Sequence, residues 1–222
     1  MKKNGILGRV FVTSAFAATS LLAVPQIALA NFYNGGISSG GNNGCRQTIE
    51  VQNPTVVSGG SSSAWVMSDN SGGQDYVQVG WDKEPSFTSP HYFVEWHSDI
   101  NPDEYKYETF GVAPLGVGVD FKIDGDATNW RFLINGVQKD YEPKSALGWT
   151  PDENEYQAET LQSADTCAGS VGNKNDFHNC QWKNTADGIY YNDAVTPDHT
   201  KATFGTNAVQ GSNSWQIWDT RN

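Results

Sequence analysis

Apolar and polar residues alternate in short runs along most of this chain, and Gly, Pro, Asn and Asp separate the runs. A period of two residues is typical of half-buried β-strands, and no long stretch repeats with the period of a helix. We therefore predict an all-β chain, with strands at residues 47–51, 64–68, 76–81, 91–96, 119–123, 130–134, 155–160 and 176–182. Asn135-Gly136 predicts a two-residue hairpin turn. Many short strands with this spacing indicate a sandwich or a barrel.

The alternation also predicts which side chains share a face, because neighbouring residues on a strand point to opposite sides. Gln78 is predicted to point away from the valines on either side of it, and Glu95 to share its face with Phe93. One face of the strand at 155–160 carries three polar side chains: Glu155, Gln157 and Glu159. An ordinary solvent-facing side of a sandwich would show the same pattern, so alternation leaves a functional surface and a plain one both open.

The first thirty residues have the parts of a cleavable secretory signal: a basic start, an apolar stretch over residues 10–24, and the small-residue exit Ala28-Leu29-Ala30. A retained membrane anchor is the alternative, but it needs about 20 unbroken apolar residues. Here polar residues and Pro25 interrupt the run. We expect cleavage after Ala30 and a secreted, extracellular protein.

The rest of the chain is predicted to form one domain. Residues 31–44 are rich in Gly, Ser and Asn, which predicts a flexible lead-in. Residues 45–222 are predicted to form a single β-sandwich domain, since a segment of this length can bury one substantial core.

Acidic residues outnumber basic ones, with 25 Asp and Glu against 14 Lys and Arg and a net charge of −11. Three of the basic residues lie in the leader, so the mature protein would be more acidic still. We therefore expect no nucleic-acid partner, and no membrane partner after cleavage of the signal. The excess of carboxylates suits either solubility or action at low pH, where partial protonation relieves their mutual repulsion.

Three cysteines remain after the predicted cleavage, in a compartment that permits disulfides. Cys167 and Cys180 are separated by a short polar loop, which predicts a disulfide between them and leaves Cys45 free. A metal site built from His178 and Cys180 lacks the repeated ligand spacing of strong zinc motifs, so no metal is predicted.

Four short motifs follow one another in the chain: Ala64-Trp65-Val66 with Asp69, Val77-Gln78-Val79-Gly80, Phe93-Val94-Glu95-Trp96, and Glu155-Tyr156-Gln157-Ala158-Glu159. In this order and spacing, over roughly residues 63–182, the chain resembles the glutamic peptidases of the eqolisin type. It is also similar to the neprosin-type prolyl endopeptidases, which have two catalytic glutamates. The first of those would fall on Gln78, so here the chain follows the eqolisin pattern. The resemblance implies an antiparallel β-sandwich of the concanavalin A-like or jelly-roll type.

The resemblance implies a catalytic pair formed by Gln78 and Glu159. Supporting or substrate-binding roles are implied for four further residues: Trp65, Asp69, Glu95 and Glu155. The substrate would be a protein or peptide, no cofactor or metal would take part, and we expect a monomer.

Amide hydrolysis needs a group that takes a proton from water and later delivers one to the leaving amine, and a carboxylate can do both in turn. It also needs a donor at the oxygen that becomes negative, and the amide of Gln78 is a neutral donor of this kind. Because an ordinary Glu titrates near pH 4.3, such a site is expected to act in acid.

Two alternatives remain. A glycoside hydrolase could use paired carboxylates among Glu95, Glu155 and Glu159. A catalytically inactive extracellular protein could bind carbohydrate or cell wall through stacking of its eight Trp and nine Tyr residues. Catalysis by a Ser, His and Asp triad lacks the Gly-x-Ser-x-Gly turn that would place the nucleophile.

Overall fold

The computed structural model describes residues 32–40, 43–70, 75–100, 105–208 and 213–222. Its strands are β1 (Phe32–Ser39), β2 (Cys45–Glu50), β3 (Ser62–Asp69), β4 (Tyr76–Lys83), β5 (His91–His97), β6 (Tyr105–Val112), β7 (Gly118–Gly125), β8 (Asn129–Ile134), β9 (Val137–Pro143), β10 (Glu153–Thr160), β11 (Asn175–Lys183), β12 (Tyr190–Asn192), β13 (Thr196–His199), β14 (Phe204–Ala208) and β15 (Trp215–Asp219). A short helix, α1, spans Lys144–Leu147. The predicted signal, residues 1–30, lies outside the described residues. Over the described ranges, no helix has both the length and the apolar character needed to cross a membrane.

The strands form two antiparallel sheets. One has seven strands in the order β13-β1-β10-β3-β4-β5-β6. The other has eight, in the order β14-β15-β11-β2-β7-β8-β9, with β12 paired to β11. The predicted antiparallel β-sandwich is confirmed, and each of the eight predicted strands lies within or overlaps an observed one.

The core lies between the two sheets, where alternate residues of the central strands are apolar and point inward. On β4, Val77, Val79 and Trp81 are fully buried. Across the core, Trp96 of β5 stacks on Phe132 of β8 with ring centroids 5.6 Å apart. The intervening residues of the seven-stranded sheet, Gln78 among them, therefore point to the opposite face.

The hairpin predicted at Asn135-Gly136 is confirmed between β8 and β9. Both residues have positive φ, 50° for Asn135 and 75° for Gly136. This is the type I′ geometry whose twist matches that of the paired strands.

The prediction of a flexible lead-in is wrong for Phe32–Ser39, which forms β1. This strand pairs with β10 along its whole length, from Phe32 opposite Thr160 to Ser39 opposite Glu153. A Cβ at Gly35 would lie 2.2 Å from the carbonyl oxygen of Tyr156, so glycine is what lets the two strands approach here. The folded domain therefore includes β1 rather than beginning at Cys45.

The predicted disulfide between Cys167 and Cys180 is also wrong. Both thiols are free and fully buried, as is that of Cys45. Cys180 Sγ accepts a hydrogen bond from Gln47 Nε2 at 2.7 Å. The backbone N–H of Cys167 instead donates to Asp219 Oδ2 at 3.1 Å, so the two cysteines have different surroundings. Burial raises the pKa of Cys167 to about 12, which suppresses the thiolate that disulfide formation requires.

Candidate functional site

The face of the seven-stranded sheet that points away from the core carries an open cavity of about 610 Å³. Its floor is apolar, because Trp65, Met67 and Phe93 form a small buried cluster there. Polar side chains around this floor include Gln78, Asp82, Glu95, Glu155, Gln157 and Glu159. The described residues that line the cavity include no Lys, Arg, His or Cys. Elsewhere in the described ranges too, no three His, Cys, Asp or Glu side chains are grouped as metal ligands. Among the described lining residues, carboxyl and hydroxyl groups are the side chains that can transfer a proton.

Five of the six residues singled out from the sequence line this cavity: Trp65, Gln78, Glu95, Glu155 and Glu159. Asp69 is not among the lining residues, and its supporting role stays a prediction. It ends β3 on the same face, between Glu153 of β10 and Tyr76 of β4, and is 1% exposed. Burial, together with the negative charges of Glu155 and Glu153, raises the pKa of Asp69 to about 8. Asp69 is therefore a protonated neighbour of the cavity at neutral pH.

Gln78 is 7% exposed and is held by Glu95 on the adjacent strand β5. Its Nε2 donates to Glu95 Oε2 at 2.6 Å, and Tyr76 Oη donates to Glu95 Oε1 at 2.7 Å. Burial raises the pKa of Glu95, although the hydrogen bonds from Tyr76, Gln78 and Tyr105 act in the opposite direction. A primary amide has two N–H donors, so Gln78 keeps one for an oxygen atom in the cavity.

The strand register places Gln78 and Glu155 in one row across the sheet. Gln78 lies opposite Met67 of β3, and Met67 lies opposite Glu155 of β10. Two strand spacings separate the Cα atoms of Gln78 and Glu155 by about 10 Å. The carboxylate of Glu155 is oriented by Gln157, whose Nε2 donates to Glu155 Oε2 at 2.6 Å.

Glu159 lies in a different row, four residues farther along β10. It is opposite Ser63 of β3, which is opposite Asp82 of β4. The Cα atoms of Gln78 and Glu159 are thus about 16 Å apart, although both side chains reach the same cavity. Glu159 Oε2 accepts a hydrogen bond from Trp65 Nε1 at 3.2 Å.

Asp82 is a site residue that the sequence reasoning missed. It is 5% exposed, its Oδ2 accepts a hydrogen bond from Tyr107 Oη at 2.5 Å, and its Oδ1 has no hydrogen-bond partner. Burial raises the pKa of Asp82 to about 7, which keeps a proton available in the cavity well above the ordinary range of an Asp. A signal was present in the sequence, because Asp82 follows Gln78 by four residues on one strand and must share its face.

The fold is shared with known peptidases. Scytalido-glutamic peptidase, solved with a peptide-based transition state analog, superimposes with a TM-score of 0.61 at 14% identity, over 86% of this chain and 98% of that one. SCP-B, a member of the eqolisin family of peptidases in complex with the tripeptide Ala-Ile-His, superimposes with a TM-score of 0.59 at 13% identity, over the same shares of the two chains. No family model matches this chain, and no curated protein does. At this identity the similarity establishes the fold: the chain is a jelly-roll β-sandwich of the kind that eqolisin peptidases have.

Proposed function

We propose that this protein is a secreted, acid-acting endopeptidase of the glutamic type, which hydrolyses peptide bonds with Gln78 and a glutamate of β10. The observation that supports this most is the convergence of Gln78, Glu155 and Glu159 on one open cavity over an apolar floor. Such a floor suits the side chains of an extended peptide, and the open shape admits a chain that continues at both ends.

Two different side chains supply the two functions that the reaction needs, stabilisation of the oxyanion and transfer of the proton. The amide of Gln78 is fixed by Glu95 and supplies a neutral donor for the carbonyl oxygen as it becomes negative. A glutamate of β10 takes a proton from the attacking water and returns it to the leaving amine. The sequence motif predicts Glu159 for this second role, and Glu155 lies nearer to Gln78 in the register.

The cavity suits acid conditions. A glutamate base must be ionised, which an ordinary Glu is above about pH 4.3. Asp82 retains its proton up to about pH 7. Asp82 can therefore supply a proton in mild acid. We propose that the enzyme acts in an acidic extracellular setting, as a monomer and without metal or cofactor.

Truncating Gln78 is expected to slow peptide cleavage strongly. Removal of one oxyanion donor typically lowers kcat by about 10² to 10³ fold, and we expect a loss of this size in Gln78→Ala. The measurement is cleavage of a denatured protein between pH 2 and 7, in the presence of pepstatin, a metal chelator and a thiol reagent. The matched control is Gln138→Ala, an exposed glutamine on β9 of the other sheet. Cleavage that persists unchanged in Gln78→Ala would refute the proposed role of the amide.

A glycoside hydrolase is a second candidate, because Asp82 and Glu159 form a carboxyl pair across Ser63. Their Cα atoms are about 10 Å apart. A small lean of the two side chains toward each other would bring the carboxyl groups to the separation of about 6.5 to 9.5 Å that inverting glycosidases use. If this function is the true one, a soluble polysaccharide is hydrolysed, Asp82→Asn and Glu159→Gln each lose that activity, and Gln78→Ala retains it. Protein cleavage that depends on Gln78 would exclude it.

A further inference from the structure

Strand β1 forms one wall of the cavity, and this wall has a gap in the middle. Tyr33 and Ile37 line the cavity, and Gly35 lies between them on the same face of the strand. The Cα atoms of Tyr33 and Ile37, four residues apart on one strand, are separated by about 13 Å. Because Gly35 has no side chain, a gap wide enough for one side chain of a bound molecule remains between them, and it is named the β1 notch.

Gln157 of β10 lies at the base of the β1 notch. It is opposite Gly35 in the strand register, and a Cβ at Gly35 would lie 3.1 Å from its Cγ. The Gln157 side chain therefore lies next to the backbone of Gly35. It lines the cavity, although only 2% of the residue is exposed. A side chain that enters the notch from the cavity would meet the amide of Gln157.

The amide of Gln157 has a hydrogen-bond partner on one side only. Its Nε2 donates to Glu155 Oε2 at 2.6 Å, and because a carboxylate is an acceptor, this contact fixes which end of the amide is the oxygen. Over the described part of the chain, that oxygen, Oε1, is buried and accepts no hydrogen bond. A buried acceptor without a donor is unfavourable, and a ligand that donates to it removes this cost.

Aromatic and aliphatic groups surround the β1 notch. Tyr33 contacts Trp65 edge-on, with ring centroids 6.4 Å apart, and Trp65 is opposite Gln157 on β3. A matching side chain has an apolar stem to contact Tyr33 and Ile37 and a neutral N–H donor at its tip. Glutamine and asparagine side chains have both. The ammonium of lysine also donates, but removing a charge from water costs much more than removing a neutral amide.

We propose that Gln157 determines substrate specificity, with its Oε1 accepting a hydrogen bond from a side-chain amide of the bound peptide; this rests on the proposed peptidase function. The amide enters between Tyr33 and Ile37, and its NH₂ group donates to Gln157. No bond of the substrate is broken at this contact. The preferred substrates are therefore peptides with glutamine or asparagine at one fixed position relative to the cleaved bond.

The test measures kcat/KM for peptides that carry Gln, Met or Lys in turn at each position around the cleaved bond. Met has nearly the shape of Gln but no N–H donor, so at one position we expect the wild type to prefer Gln over Met by at least about tenfold. In Gln157→Met the ratio between these two peptides should fall to within about twofold of one. Effects of the substitution on Glu155 act on both peptides and cancel in this ratio. The matched control is Gln138→Met, on the exposed face of β9, which should keep the wild-type ratio.

Three results would overturn the assignment. They are equal cleavage of the Gln and Met peptides at every position, a preference for Gln that survives in Gln157→Met, and a preference for Lys over Gln at the position concerned. The last of these would show that the carboxylates of the cavity select an ammonium group instead.

Binding separates this inference from the proposed function. If the wild type cleaves no peptide at any pH, the proposed function fails, and calorimetry with the same uncleaved peptides still tests the notch. Binding of the Gln peptide at least about tenfold more tightly than the Met peptide, lost in Gln157→Met, would support the notch alone. Equal Kd values for the two peptides would overturn it as well.

Discussion

The free energy of unfolding is expected to fall by several kcal/mol as the pH rises from about 4 to about 8. In the folded protein the pKa of Asp69 is raised to about 8 and that of Asp82 to about 7, from 3.8 in the unfolded chain. Between these values the folded state holds protons that the unfolded state has released, so raising the pH favours unfolding. One pKa unit corresponds to about 1.4 kcal/mol, and both groups are almost fully buried. The stability that they contribute is fully present below about pH 4 and is lost through about pH 7 to 8.

Asp219 makes the free energy of unfolding change with pH in the opposite direction. Burial alone would raise its pKa, but the hydrogen bonds from Arg221 and from the Cys167 backbone bring it below 3.8. Its contribution is present above that value and is lost as the pH falls through the lowered pKa. The two opposing trends place the maximum of stability in mild acid.

Urea unfolding from pH 2 to 9 measures this profile. We expect Asp69→Asn and Asp82→Asn each to flatten the decrease above pH 4, whereas Asp99→Asn, whose side chain is 54% exposed, should leave it unchanged. A free energy of unfolding that stays constant or rises from pH 4 to 8 would contradict the prediction.

Gly80→Ala is expected to destabilise the fold by about 3 kcal/mol or more. Gly80 lies opposite Trp65 in the centre of the seven-stranded sheet. A Cβ at this position would lie 2.2 Å from the carbonyl oxygen of Ala64 and 2.7 Å from the Cα of Trp65. Both contacts are with backbone, which cannot move aside without separating β3 from β4, and overpacking of this kind in a rigid sheet is strongly destabilising.

Thermal or urea unfolding checks this, with Gly172→Ala as the matched control, because a Cβ at Gly172 would meet no atom within 4 Å. The displaced Trp65 should also raise KM if the cavity binds a peptide. Equal stability of the two alanine variants would show that the sheet accommodates the methyl group.

The alternation of apolar and polar residues predicted which side of its strand each site residue occupies. A period of two residues directly reports which side of a strand a residue occupies, so the common face of Gln78, Glu95 and Glu159 was predictable. The distances between these three side chains could not be predicted from alternation. Glu155 and Glu159 lie on one face of one strand, and only the pairing of β10 with β3 shows which of them is level with Gln78.

Several observed strands lie outside the eight predicted ranges, and two of them, β1 and β6, were missed for different physical reasons. β1 is rich in glycine, which predicts flexibility in isolation, but here glycine allows close strand approach. β6 is an edge strand with exposed side chains, so its sequence, YKYETFGV, shows little apolar alternation. Its Tyr105 and Tyr107 nevertheless complete the hydrogen bonds to Glu95 and Asp82.

The three buried thiols make the opening of the folded protein measurable, because they react only when they become exposed. Cys45, Cys167 and Cys180 are each 0% exposed, so a thiol-reactive dye can reach them only in molecules that have opened. The rate of labelling therefore follows the opening of the sandwich and needs no introduced probe. Because the thiols are free, the protein should also fold equally well with or without a reducing agent.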